Sequence, residues 1–178
     1  MKSTARELLL GDSRPKTPVL EGATKTKDCY NVLFVCCDNS ACSIIAEAIL
    51  ERWGAKEFRA FSAGIHPATE IQPFAIDLMK AQRLWKQSFK SKGCDEYLKP
   101  DARCMNFIIC IGEQRPNDFP AKWPGNPSII HWRISSPISD GQPEERALAF
   151  RKTFKELENR IRLFILIYER ERVKKAAA

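Results

Sequence analysis

Apolar residues in this chain fall into two registers. The stretches Asn31–Cys36 and Phe107–Ile111 are short, nearly continuous apolar runs rich in Val and Ile, each bounded by polar residues. Such runs suit strands buried on both faces of a parallel sheet. Cys42–Trp53 instead carries apolar residues at helical spacing, with Gly54 at the position of a helix cap. Phe58–Phe61 predicts a short strand ending in Ser62-Ala63-Gly64. Ile71–Arg83 predicts an amphipathic helix, Gly93–Leu98 a short helix and Ser128–Trp132 a third candidate strand. Glu144–Arg170 predicts a long helix with Leu148, Phe154, Leu157, Ile161, Phe164 and Ile165 on or near one stripe. Strands alternating with helices predict an α/β fold, a parallel sheet with helices on both faces. Residues 1–28 are polar and punctuated by Pro15, Pro18 and Gly22, with one short helix expected at Ala5–Leu10. The expected organisation is an extension over 1–29, one α/β domain over 30–170 and a charged tail over 171–178, without internal repeats.

The composition narrows the class. With 178 residues, 44% hydrophobic and 29% charged, the chain suits one ordinary domain and is too apolar for a disordered protein. No apolar run approaches the ~18 residues of a membrane span, and the N-terminus lacks a secretory apolar core. A soluble, cytoplasmic protein is expected. The net charge of +7 resides largely at the ends, so nucleic acid is not expected as a partner. Seven cysteines without a secretory signal argue for free thiols rather than a disulfide framework. Their spacing lacks the pairs of a zinc site, so no metal and no cofactor is expected.

The segment after the first strand carries the candidate chemistry. Ligands of an open parallel sheet bind beyond the carboxyl ends of its strands. There a strand-to-helix loop aims backbone N–H groups, aided by the helix dipole, at one anion. Cys36 ends the strand, and the helix begins about six residues later. A thiol so placed is a candidate nucleophile; a buried structural cysteine is the alternative.

The stretch Val32–Leu50, with Cys36-Cys37-Asp38-Asn39-Ser40-Ala41-Cys42-Ser43 at its centre, resembles the active-site segment of the low-molecular-weight protein tyrosine phosphatases and related arsenate reductases. The resemblance continues through Phe61–Gly64, Phe89–Lys92, Phe107–Cys110 and His131-Trp132, over roughly residues 30–169. It implies a three-layer α/β/α sandwich around a four-stranded parallel sheet. It also implies that a thiolate at Cys36 attacks phosphorus or arsenic, that loop amides and an arginine hold the oxyanion, and that an aspartate of an Asp-Pro pair protonates the leaving group. Asn39 and Ser40 match residues that brace the loop, Ser43 one that activates the thiolate, and Cys110 one position of the reductase disulfide relay.

Three positions depart from that pattern. The arginine position holds Cys42, which lacks a charge and a planar fork. The loop glycine is replaced by Asp38, whose carboxylate repels a dianion, raises a neighbouring thiol pKa and is able to occupy the loop amides itself. The acid position holds Ser136, too weak an acid for the role, with Asp140 four residues on as a substitute acid. The expected function is a phosphatase-like protein with crippled activity and a binding or regulatory role, weakly binding a phosphorylated or anionic ligand. The alternatives are an active cysteine-dependent phosphatase or arsenate reductase with atypical helpers, and a thiol redox protein pairing Cys36 with Cys42 or Cys37.

Overall fold

The computed structural model describes residues 29–113, 118–120, 122–137 and 141–176. In chain order the elements are β1 (Tyr30–Cys36), α1 (Cys42–Trp53), β2 (Phe58–Gly64), α2 (Pro73–Ala81), a 3-10 turn (Cys94–Tyr97), β3 (Phe107–Ile111), β4 (Ser128–Trp132) and α3 (Pro143–Ala176). The four strands form one parallel sheet in the order β2-β1-β3-β4. The long runs Val32–Cys36 and Ile108–Ile111 are buried without alternation because β1 and β3 are the central strands and both their faces are covered.

Alternate side chains of β1 enter different layers. Val32, Phe34 and Cys36 face a helical layer containing Ile44, Ile45 and Ile49 of α1 with Phe150, Leu157 and Ile161 of α3. Leu33 and Val35 face a thinner layer built from Cys94, Met105, Phe119 and Trp123 around the 3-10 turn. The result is a three-layer α/β sandwich. Cys42 through Leu50 are all buried, because α1 lies between the sheet and α3; a helix apolar all round requires such cover.

Element boundaries differ from the sequence expectation for local reasons. β2 continues to Gly64 because its last residues pair with the end of β1, Cys36 opposite Gly64. α2 starts at Pro73, a residue whose fixed φ suits the first helical position, and ends at Ala81, ahead of the left-handed Arg83 (φ 56°). α3 runs six residues past Arg170 to Ala176. Leu148 does not join the stripe of α3 and is 47% exposed: it precedes the buried Phe150 by two positions, about 200° around the helix. Gly54 does cap α1, its N–H donating to the carbonyl of Leu50 at 2.8 Å, but with φ −113°. A Cβ there would lie 2.7 Å from Leu50 Cδ1, so close packing is what requires glycine. The helix expected at Ala5–Leu10 lies outside the described residues. No helix among the described residues is long and apolar enough to cross a membrane.

Burial gives the thiols a pH signature. Cys110 on β3 is pushed up to about 12 by burial and by neighbouring Cys94. An unfolded cysteine ionises near ~8.5. The thiol's stabilising contribution is therefore complete below that pH and is lost as pH rises toward 12, because only the unfolded chain then releases the proton. The urea midpoint should fall between about pH 7.5 and pH 10, and fall less in Cys110→Ala. Equal slopes in the two proteins would contradict this assignment.

Candidate active site

β1 delivers Cys36 to the carboxyl edge of the sheet, and residues 37–41 turn the chain into α1. The outer side of this loop is fastened by its carbonyls. Cys36 C=O accepts from Ile65 N–H (3.0 Å), Cys37 C=O from His66 N–H (2.8 Å), Asp38 C=O from Ala68 N–H (2.8 Å) and Ser40 C=O from Gln72 N–H (2.9 Å). The Ser91 hydroxyl also donates to Asp38 C=O (3.3 Å). With these carbonyls engaged outward, the Asn39 and Ser40 amides bond inside the loop, to Cys36 Sγ and Asp38 Oδ1.

Asn39 makes the turn. It adopts φ 50°, in the left-handed region that Asn tolerates better than most residues. Its side chain is held at both ends: Nδ2 donates to Ser43 Oγ at 2.7 Å, and Oδ1 accepts the Lys92 N–H at 2.8 Å. Gly64 lies flush against it. A Cβ on Gly64 would meet Asn39 N and the Asp38 carbonyl carbon, each at 2.8 Å.

The sulfur of Cys36 sits inside this frame. It accepts the Asn39 N–H at 3.2 Å and lies 3.0 Å from Ser43 Oγ. Burial raises its pKa, the Ser43 hydroxyl and Asn39 amide oppose the rise, and the Asp38 charge adds to it; burial dominates, so the thiol form is favoured near neutral pH. The Asp38 carboxylate folds back over the loop. Its Oδ1 accepts the Ser40 N–H at 3.1 Å and lies 3.8 Å from the Cys36 sulfur; its Oδ2 accepts the Ser40 hydroxyl at 2.8 Å. The loop thus carries an anion of its own. No lysine or arginine side chain bonds to the loop among the described residues. Cys42 is buried at the start of α1, its thiol pushed well above the ordinary range by burial and the proximity of Cys36.

The other candidates are placed as follows. Cys37 is exposed, whereas Cys36 and Ala41 are buried. Ser136 is exposed after β4 and makes no hydrogen bond to the loop. Asp140 lies outside the described residues. Cys110 pairs in register with Val35 and packs with Cys94 in the thin layer, on the sheet face opposite Cys36. Among the described residues no cluster of three His, Cys, Asp or Glu side chains is placed to hold a metal. Two supporting features were not visible in the sequence. Gln72 bonds Ser40 through both backbone and side chain, Nε2 donating to Ser40 Oγ at 3.2 Å. Buried Glu47 of α1 accepts from Ser62 of β2 and pairs with Lys92 at 3.6 Å, tying α1 and β2 to the segment that holds Asn39. A lone Gln and a helix Glu carry no pattern that marks them.

The fold agrees with the comparisons. Residues 31–177 match the family model for low molecular weight phosphotyrosine protein phosphatases, and the chain belongs to that family. An arsenate reductase from Halalkalibacterium halodurans is 28% identical over 134 residues, which cover 75% of this chain and 93% of the relative. Among solved structures, an arsenate reductase from Archaeoglobus fulgidus superposes with a TM-score of 0.58 at 26% identity, over 75% of this chain and 98% of its own. The YwlE arginine phosphatase from Geobacillus stearothermophilus shares the fold, with a TM-score of 0.60 at 19% identity over 82% of this chain and 96% of its own.

Two outcomes follow from this geometry. Gly64→Ala should destabilise the protein by about 1–3 kcal/mol, because the added methyl meets loop backbone that has no free direction to move; an unchanged urea midpoint would show that the loop is not pressed against β2. Alkylation of Cys36 by iodoacetamide, mapped by mass spectrometry, should accelerate only at distinctly higher pH in the folded protein than in the urea-unfolded chain. The same pH dependence in both would refute the raised thiol.

Proposed function

We propose that this family member keeps the phosphatase-like cradle but has lost efficient phosphoryl or arsenyl chemistry, and that it acts by binding or regulation. The observation that carries the reading is the Asp38 carboxylate bonded to the amide and hydroxyl of Ser40, 3.8 Å from the Cys36 sulfur. A tetrahedral dianion entering there meets a fixed negative charge, a donor already in use and, at Cys42, no cation. Removing a single donor to a developing oxyanion costs about 10²–10³ in rate. An exposed serine at position 136 supplies no acid for the leaving group.

A second reading, a cysteine-dependent oxyanion reductase or phosphatase, draws support from the names of the relatives and from the retained Cys36–Ser43–Asn39 contacts. In that reading Cys42 and Cys94 are the buried thiols near enough to Cys36 for it to raise their pKa, and Cys37 is its exposed chain neighbour. The thiol redox alternative pairs Cys36 with Cys42 or Cys37.

An aryl phosphate assay separates these. Wild-type protein should show little turnover above a Cys36→Ser control. The triple variant Asp38→Gly, Cys42→Arg, Ser136→Asp should gain at least about 100-fold, dependent on Cys36. Cys36-dependent wild-type turnover equal to that of the triple variant would sink the proposal, as would thioredoxin-coupled arsenate reduction that needs Cys36 and Cys42.

A further inference from the structure

A depression of about 410 Å³ lies along the first half of β2. It sits at the opposite end of that strand from the Cys36 loop, which abuts Gly64. The seven residues of β2 put about 20 Å between the two places. Its floor is buried: Phe58 is 2% exposed and Ala60 7%. One polar group on that floor lacks a partner. Tyr30 N–H donates to Glu57 C=O at 2.7 Å and Ile65 N–H to Cys36 C=O at 3.0 Å. The parallel ladder therefore turns the backbone of Arg59, Phe61 and Ala63 toward β1, and that of Ala60 away from it. The Ala60 N–H and C=O bond to nothing among the described residues. Buried backbone groups in this state call for a polar molecule to meet them.

The rim is basic. Arg59 and Phe61 lie on the same side of β2, and the Arg103 guanidinium lies over the Phe61 ring at 5.6 Å. Arg59 and Arg103 are both exposed, and neither pairs with a carboxylate among the described residues. Lys86 is half-exposed and has Glu51 at 2.7 Å as its counter-ion. Three cations thus face one carboxylate around an apolar floor, and the two arginines are left without counter-ions.

We propose that this depression binds a small organic phosphate monoester, separately from the Cys36 loop. The planar forks of Arg59 and Arg103 match phosphate oxygens, and the Ala60 N–H supplies a further donor. A dianion suits the two uncompensated arginines better than a single carboxylate does. The floor of Phe58 and Ala60 takes the apolar body of the ligand, and the volume lies in the range of about 300–1,000 Å³ usual for small-molecule sites. The Cys36 loop carries the charge of Asp38 and no cation among the described residues. The start of β2 has the opposite balance, so an anion that the loop repels is accommodated here.

The test is an amide NMR titration of the full chain with phenylphosphonate, a non-hydrolysable anion with a flat apolar body. The amides of Arg59, Ala60 and Arg103 should shift and saturate with a Kd of about 1 mM or tighter. Arg59→Gln/Arg103→Gln should weaken that binding at least about tenfold. Phenol lacks the anion and inorganic phosphate lacks the body, so each should bind at least about tenfold more weakly. Cys36→Ser should bind the probe as the wild type does, which separates this site from the reading of the loop. Four results would overturn the proposal: no shift at Arg59–Phe61 up to about 10 mM probe, shifts confined to residues 37–43, equal binding of inorganic phosphate, or binding that the double variant keeps. The variant's own spectrum reports its fold, and Arg59→Gln alone, at an exposed side chain, repeats the test with a smaller loss.

Discussion

The left-handed turn at Asn39 is the constraint on which the loop depends. One residue reverses the chain between the sheet and α1, and its amide side chain is anchored on both sides, to Ser43 within α1 and to the Lys92 backbone beyond β2. Gly64 permits the close approach by lacking a Cβ. Because carbonyls 36, 37, 38 and 40 are bonded outward to the segment 65–72, the cradle holds its shape through protein contacts alone. Shape and charge are thus separable here. The bonds that fix the curvature run between protein groups, and the residues at 38 and 42 set what the curvature holds.

The same separation holds for the side chains around the loop. Cys36, Asn39, Ser43, Ser62 and Glu47 all make structural bonds independent of turnover. Glu47 is costly to bury, and its pKa is raised by burial despite Lys92 and Ser62. Removing either helper would leave a buried carboxylate underpaired, a loss of several kcal/mol by general experience. The same bonds would hold this loop in shape whatever chemistry it performs.

The sequence disclosed the sheet well, because β1 and β3 are buried on both faces and leave uninterrupted apolar runs. It disclosed the loop because Cys36–Ser43 lies in one contiguous segment, so spacing and spatial proximity coincide. It misplaced Leu148 because an apolar residue near a stripe need not lie on it, and it overextended α2 because apolar Ile71 and polar Gln72 continue the pattern that Pro73 interrupts. Contacts that join distant segments were illegible: Gln72 to Ser40 spans 32 residues, and Lys92 to Asn39 spans 53. The same is true of the basic edge, where Arg59, Lys86 and Arg103 converge only after β2 is placed at the margin of the sheet.

The two loop substitutions are physically coupled. An arginine at position 42 opposite a carboxylate at position 38 would pair with it, and the cradle would be filled by its own ion pair. A glycine at 38 with a cysteine at 42 would leave inward amides without an anion or a cation to complete them. As it stands, Asp38 engages Ser40 by amide and hydroxyl, while neutral Cys42 is buried at the helix start where a fixed charge would need a partner. Each change removes the penalty of the other. Burial is the main reason the Cys36 thiol stays neutral, and the Asp38 carboxylate beside it adds to that preference.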